Sequence, residues 1–148
     1  MRGFLQKTEK ADKPSWLMRQ LNLILSNVEF RKRQKNYYDL ANLSLNVAIE
    51  LKPDFVFAND FNGLIAAEKI FDNLRIPFAY DSHELWAERN RPLDLVPKSE
   101  YNWELTSEKR AMLKSSHNYT VCQSIAEHLA EKYNVTPPTV VRNTPNMH

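Results

Sequence analysis

The sequence predicts an α/β fold in which a parallel sheet is flanked by helices, and three observations carry that reading. Short apolar runs at Phe55 to Ala58, Phe78 to Tyr80, Tyr119 to Cys122 and Thr139 to Val141 read as strands. Segments with helical spacing of apolar residues separate them. Each run also ends in a polar cluster rather than continuing as a longer apolar stretch. Strand and helix in strict alternation build a parallel sheet through right-handed crossovers.

Taken in order, residues 1–13 are charged and aperiodic, and a loosely anchored start is expected there. Pro14 and Ser15 open a first helix, with Leu17, Leu21, Ile24, Leu25 and Val28 on a face expected to be buried. The basic run Arg31, Lys32, Arg33 and Lys35 separates it from a second helix with the stripe Tyr37, Leu40, Ala41, Val47, Ala48 and Leu51, which Pro53 stops. The run from Phe55 is apolar on both faces, as a fully covered strand would be, and a helix carrying Leu64, Ala67, Ile70 and Phe71 follows it. Pro77 introduces the next strand, which closes at Asp81, Ser82, His83 and Glu84. After a loop with Pro92 and Pro97 comes a helix from near Ser99 to Lys114. The third strand leads to a helix opened by Ser124, where Ser124 and Glu127 fit a capping box, and the last strand ends at Arg142 and Asn143.

At 148 residues the chain is the size of one domain. Twenty Lys and Arg against 18 Asp and Glu leave a formal charge of +2, too little to imply a nucleic-acid partner. The single cysteine, Cys122, precludes an internal disulfide, is expected to be a small core residue and suits a reducing cytoplasm. No run reaches the roughly 20 apolar residues needed to span a bilayer, so a cytoplasmic location is expected. Only Gly3 and Gly63 are glycines, which leaves no glycine-rich phosphate loop. The four histidines are scattered, so no metal site is expected, and no cofactor is implied.

Sites in parallel sheets lie beyond the carboxyl ends of the strands. That rule selects Asn59 and Asp60, Asp81 to Glu84, Gln123 and Ser124, and Arg142 and Asn143. His83 is the one group there able to exchange a proton near neutral pH, with Asp81 or Glu84 to orient it. Alternatively, Asp81 and Glu84 cap a short helix through Leu85 and Trp86, which leaves His83 on the surface. Asn59 and Asp60 suit the hydroxyls of a sugar or polyol, and equally suit a helix cap. Ser124 offers a helix start to a hydroxylated or anionic ligand, or simply caps. The cluster Arg31, Lys32, Arg33 and Lys35 is either a solvated face or a contact with anionic lipid head groups, which would place the protein at the inner face of a membrane.

The succession DFVFAND, IPFAYDSHEL, a Glu-bearing helix, NYTVCQSIAEHLAEKY and TVVRNTP resembles the second half of the N-terminal domain of glycosyltransferase family 4, over about Leu51 to Pro145. The resemblance implies a partial Rossmann-like, acceptor-side domain of GT-B architecture over residues 14–145, with 146–148 beginning a linker. It implies that His83 points into a cleft near donor sugar and acceptor, that Asn59, Asp60, Asp81, Glu84 and Ser124 line the acceptor side, and that Asn143 marks the exit. The implied reaction moves a sugar from a nucleotide-sugar donor to a hydroxyl acceptor, such as a glycan or lipid-linked sugar, with retained anomeric configuration and without metal. The family's opening strand, its glycine-containing loop and its C-terminal donor-binding domain have no counterpart in this sequence. A truncated gene product, inactive alone and with an open sheet edge, is therefore expected. A non-catalytic glycan- or protein-binding module and one subunit of a split glycosyltransferase are the alternatives. A receiver or flavodoxin-like domain fits the alternation but lacks the acidic cluster or hydroxyl-rich loop those need.

Overall fold

The computed structural model describes residues 16–91 and 96–142. The start over residues 1–13, the opening at Pro14 and Ser15, Pro92, Asn143 and the linker lie outside the described residues. The element order is α1 (Trp16–Leu51), β1 (Val56–Asn59), α2 (Asp60–Leu74), β2 (Phe78–Ser82), a 3-10 turn (Trp86–Glu88), α3 (Lys98–Lys114), β3 (His117–Thr120), α4 (Gln123–Tyr133) and β4 (Thr139–Val140). All pairings are parallel and the sheet order is β1-β2-β3-β4. The α/β parallel-sheet prediction holds.

One helix replaces the two expected at the start. Residues 16–51 contain neither Gly nor Pro, and ion pairs Lys32–Glu29 (3.0 Å) and Lys35–Asp39 (2.5 Å) carry the helix through the basic run at i,i+3 and i,i+4 spacing. Thirty-six residues make a rod about 54 Å long, against about 15 Å for the strands. Only part of it can reach the sheet layer. Phe30, Tyr37, Ala41 and Ala48 face the body, and Ala41 joins the main core. The stripe Leu17, Leu21, Ile24, Leu25 and Val28, expected to be buried, lies on the opposite side and is exposed.

Because each strand adds to the same side of the previous one, right-handed crossovers put α2, α3 and α4 on one face of the sheet. That face holds Ala58, Phe78, Tyr80 and Thr120, all buried against Leu64, Ala67, Ala111, Met112 and Leu129. Among the described residues no helix covers the other face, so the cover on both sides that the composition of β1 suggested is not seen there. Phe57 is 53% exposed and meets Tyr119 at 5.9 Å between ring centroids, with His117 stacked on Tyr119 at 6.2 Å. Strand limits shift accordingly: β1 takes in Asn59, β2 extends to Ser82, and β3 begins at His117 rather than Tyr119 and stops before Cys122. Cys122 is half-buried, at the N-cap of α4, and not a core residue.

The buried face of α3 is acidic: Glu100, Glu104 and Glu108 follow one another at i,i+4 spacing, each about 1–4% exposed. Each has partners. Tyr80 and Tyr133 donate to the two oxygens of Glu108 at 2.7 Å, and burial pushes that carboxyl up while the two donors oppose the shift. Glu68 on α2 accepts from Arg110 Nε (2.6 Å), Arg110 Nη2 (2.7 Å) and Lys114 Nζ (2.8 Å), which ties α2 to α3. Burial alone would raise the Glu68 carboxyl, but the hydrogen bonds from Arg110 and Lys114 outweigh it and hold it below its ordinary value of 4.5. A depressed folded value means stability that is present above pH 4.5 and lost as pH falls through the lower folded value. Thermal melts between pH 6 and pH 3, with rough spacing of half a unit, are expected to drop more steeply for the wild type than for Glu68→Gln. Equal slopes would show that this cluster does not couple folding to protons.

Candidate functional site

Every candidate side chain within the described residues is delivered to the carboxyl end of the sheet. Asn59 ends β1 and occupies the N-cap of α2, yet its side chain makes no capping hydrogen bond and is exposed, so the capping alternative does not account for it. Asp60 begins α2 at φ 55°. The other non-glycine residues with positive φ, Lys52, Arg75 and Asn134, follow the ends of α1, α2 and α4, where a left-handed residue commonly terminates a helix. Asp60 alone sits at a helix start. The left-handed backbone there costs on the order of 1 kcal/mol, and such costs cluster at functional positions. The tight junction also needs a small residue one turn on: a Cβ at Gly63 would lie 3.3 Å from Ala58 Cα.

At the end of β2, His83 Nε2 lies 3.0 Å from Asp81 Oδ2, and His83 Nδ1 lies 3.8 Å from Asp60 Oδ1. The first is a hydrogen bond and the second is too long to be one. With Asp81 ionised, Nε2 carries the proton and donates it, so the lone pair of Nδ1 is turned toward Asp60. A hydroxyl placed between Nδ1 and Asp60 can donate to either. His83 is 42% exposed, which leaves it open to such a ligand.

The loop that holds His83 is fixed from both sides. Ser82 Oγ donates to Glu84 O (2.8 Å), and Thr120 Oγ1 donates to Ser82 O (2.7 Å) across to β3. Glu84 itself is exposed and caps no α-helix: the segment that follows is a 3-10 turn with Leu85 at its N-cap, which removes the expected capping role of Asp81 and Glu84. Beyond the turn, Arg89 donates to Glu104 (3.0 Å) and lies over the Trp86 ring at 4.1 Å, and Arg91 donates to Glu104 and to Glu100. The acidic stripe of α3 therefore anchors the segment following His83. Neither Arg89 nor Arg91 is singled out by the sequence, and Trp86 enters it only as part of a short helix. The available signal was the spacing Glu100, Glu104, Glu108 on one helix face, which requires cationic or hydroxyl partners when buried.

Ser124 does not join this cluster. It is exposed in the first turn of α4, its hydroxyl lies 3.3 Å from Cys122 Sγ, and no side chain caps the helix, so the capping box with Glu127 is not formed. Glu127 instead accepts from Gln123 (2.9 Å). Hydrogen bonds from the Ser124 hydroxyl and the Ile125 amide hold the Cys122 thiol below its ordinary range. Of the basic run, Arg33 turns to Glu100 (2.7 Å), whereas Arg31, Lys32 and Lys35 are exposed on the outer side of α1. Among the described residues no group of three or more His, Cys, Asp and Glu could hold a metal ion, and no helix is long and apolar enough to cross a membrane.

The family model for Glycosyltransferase Family 4 matches residues 6–146, and so takes in α1 as well as the region from Leu51 onward. No curated protein and no solved structure matches the chain significantly.

Proposed function

Because the chain belongs to glycosyltransferase family 4, we propose that its rim is the acceptor side of a sugar-transfer site, in which His83 positions the hydroxyl that takes the sugar. The observation that carries this reading is the convergence of His83, Asp81 and Asp60 at the ends of two adjacent strands, with Asp60 in a strained backbone. Asp81 holds the Nε2 proton, and the hydroxyl donates to Nδ1, which raises the electron density on its oxygen. Asn59 and Asp60 hold neighbouring hydroxyls, Glu84 lies at the edge of the same loop, Ser124 borders the acceptor further along the rim, and Asn143, outside the described residues, keeps the exit role that the resemblance implies. In the transfer, the bond from the anomeric carbon to the nucleotide phosphate breaks and a bond to the acceptor oxygen forms on the same face. The hydroxyl proton passes to His83 Nδ1, where Asp81 balances the imidazolium charge, and the bonding electrons leave with the nucleotide phosphate.

The rim carries three carboxylates, Asp60, Asp81 and Glu84. Such a surface suits hydroxyls and repels a nucleoside diphosphate, so the donor diphosphate is held away from these three carboxylates. Isothermal titration of the folded chain with nucleotide sugars and free nucleotides tests this. No binding is expected, and tight binding would overturn the acceptor-side assignment.

The outward side of α1 supports a second contact, with an anionic membrane surface. Leu17, Leu21, Ile24 and Val28 and then Arg31, Lys32 and Lys35 share that side, an apolar stripe continued by cations. Cosedimentation with vesicles is expected to rise with the fraction of anionic lipid and to fall with added salt. Equal partitioning onto neutral and anionic vesicles would remove the electrostatic part of this contact.

A further inference from the structure

A cavity of about 720 Å³ lies between the first half of α1, the segment that follows the 3-10 turn and the first turn of α3. It lies at the carboxyl end of the sheet, as His83 does, because α1 and α3 both run antiparallel to the strands and present their N-terminal halves there. Its wall is of two kinds. Leu25, Val96 and Pro97 form an apolar part, and Arg33, Arg89 and Arg91 form a cationic part. The three guanidiniums share two buried carboxylates, Glu100 and Glu104, while Glu29 is engaged by Lys32 at 3.0 Å. One positive charge is left over. Arg91, in the same wall, also has its Nε buried without a hydrogen-bond partner among the described residues, which leaves that guanidinium under-satisfied by the protein. Arg33 has only Glu100 among its carboxylate partners and is 48% exposed at the cavity, which leaves further donors of its fork accessible.

The apolar wall does not end at the mouth. Leu25 is itself 53% exposed and is continuous with Leu21, Leu17, Ile24 and Val28 on the free length of α1. A ligand that filled the cavity and followed this path would meet cations at one end and the exposed apolar side chains Leu25 and Leu21 at the other. A free phosphate would leave the apolar part wet, and an uncharged glycan would leave the excess guanidinium charge uncompensated.

We propose that this cavity binds the acidic head and the first part of the alkyl chain of an amphiphilic acceptor presented at a membrane surface, with the head on Arg33 and Arg91 and the chain along Leu25 and Leu21. This rests on the sugar-transfer reading of the rim, and it names the class of acceptor: an anionic lipid bearing a free hydroxyl. The guanidinium fork suits phosphate or carboxylate through paired hydrogen bonds.

The test is calorimetric titration of the whole chain with dodecyl phosphate below its micelle concentration, beside inorganic phosphate and uncharged dodecyl maltoside. Saturable binding of dodecyl phosphate is expected, with both controls at least about tenfold weaker. Arg33→Gln and Leu25→Gln, at partly exposed positions that leave the fold intact by circular dichroism, are each expected to weaken it about tenfold. Equal binding of dodecyl maltoside would overturn the head-group assignment, equal binding of inorganic phosphate would overturn the alkyl path, and no binding of any probe would overturn the site. Sugar transfer onto a soluble glycan with no binding of dodecyl phosphate would sink this inference and leave the sugar-transfer reading standing.

Discussion

Replacing Phe61 with alanine is expected to lower the free energy of unfolding by about 3–5 kcal/mol, the usual cost of removing a fully buried aromatic ring. Phe61 is completely buried in the first turn of α2. Its ring stacks on Trp86 (5.2 Å, 8°) and meets Trp103 (5.5 Å) and Tyr37 (5.6 Å) edge-on. It therefore joins α1, α2, α3 and the 3-10 turn at one point, and the surrounding rings are too large to collapse into the space. Urea unfolding followed by tryptophan fluorescence would measure the loss, since Trp86 and Trp103 both touch the deleted ring. A change under about 1 kcal/mol would mean that these elements are held together elsewhere. The effect also reaches the rim. Phe61 follows Asp60 directly, so loosening it releases the strained turn that aims Asp60 at His83.

In an assembly competent for transfer, His83→Ala is expected to reduce turnover about tenfold or more, the range of a positioned proton-exchanging group. Asp81→Asn keeps the shape but removes the carboxylate that fixes the Nε2 proton, so a smaller loss is expected, with a changed pH profile. Stability should barely move in His83→Ala, because the side chain is exposed and its polar partners among the described residues are Asp81 and Asp60. That separates a role in the reaction from a role in the fold. Unchanged turnover would remove His83 from the reaction and favour a glycan-binding module.

The strand and helix succession from Val56 onward was legible because a four-residue apolar run and a helical stripe such as Leu64, Ala67, Ile70 differ plainly in period. The beginning was not. Apolar residues at helical spacing on α1 predict a buried face, but the helix is longer than the body it packs on, and length is not encoded in periodicity. Phe55 and Phe57 suggested a strand covered on both faces, and only the sheet order shows that all crossovers fall on one side. At the rim, the cluster of His83, Asp81 and Asp60 was accessible from strand ends alone. Nothing local announced the left-handed backbone of Asp60, since aspartate is an ordinary residue at a helix start. Ser124 followed from the same rule and remained apart, because a strand end fixes a residue's edge of the sheet and not its neighbours.

The sheet is arranged in the order of synthesis, with each strand laid beside the one made just before it. Among the described residues its contacts are therefore short in sequence, bridged by single helices, and none of the four strands has to wait for a distant partner or be inserted between two others. A chain of this kind can assemble from its N-terminal side while still emerging from the ribosome, at about 5–20 residues per second. β1 and α2 would dock first on α1, and every later unit would find a finished template rather than a gap.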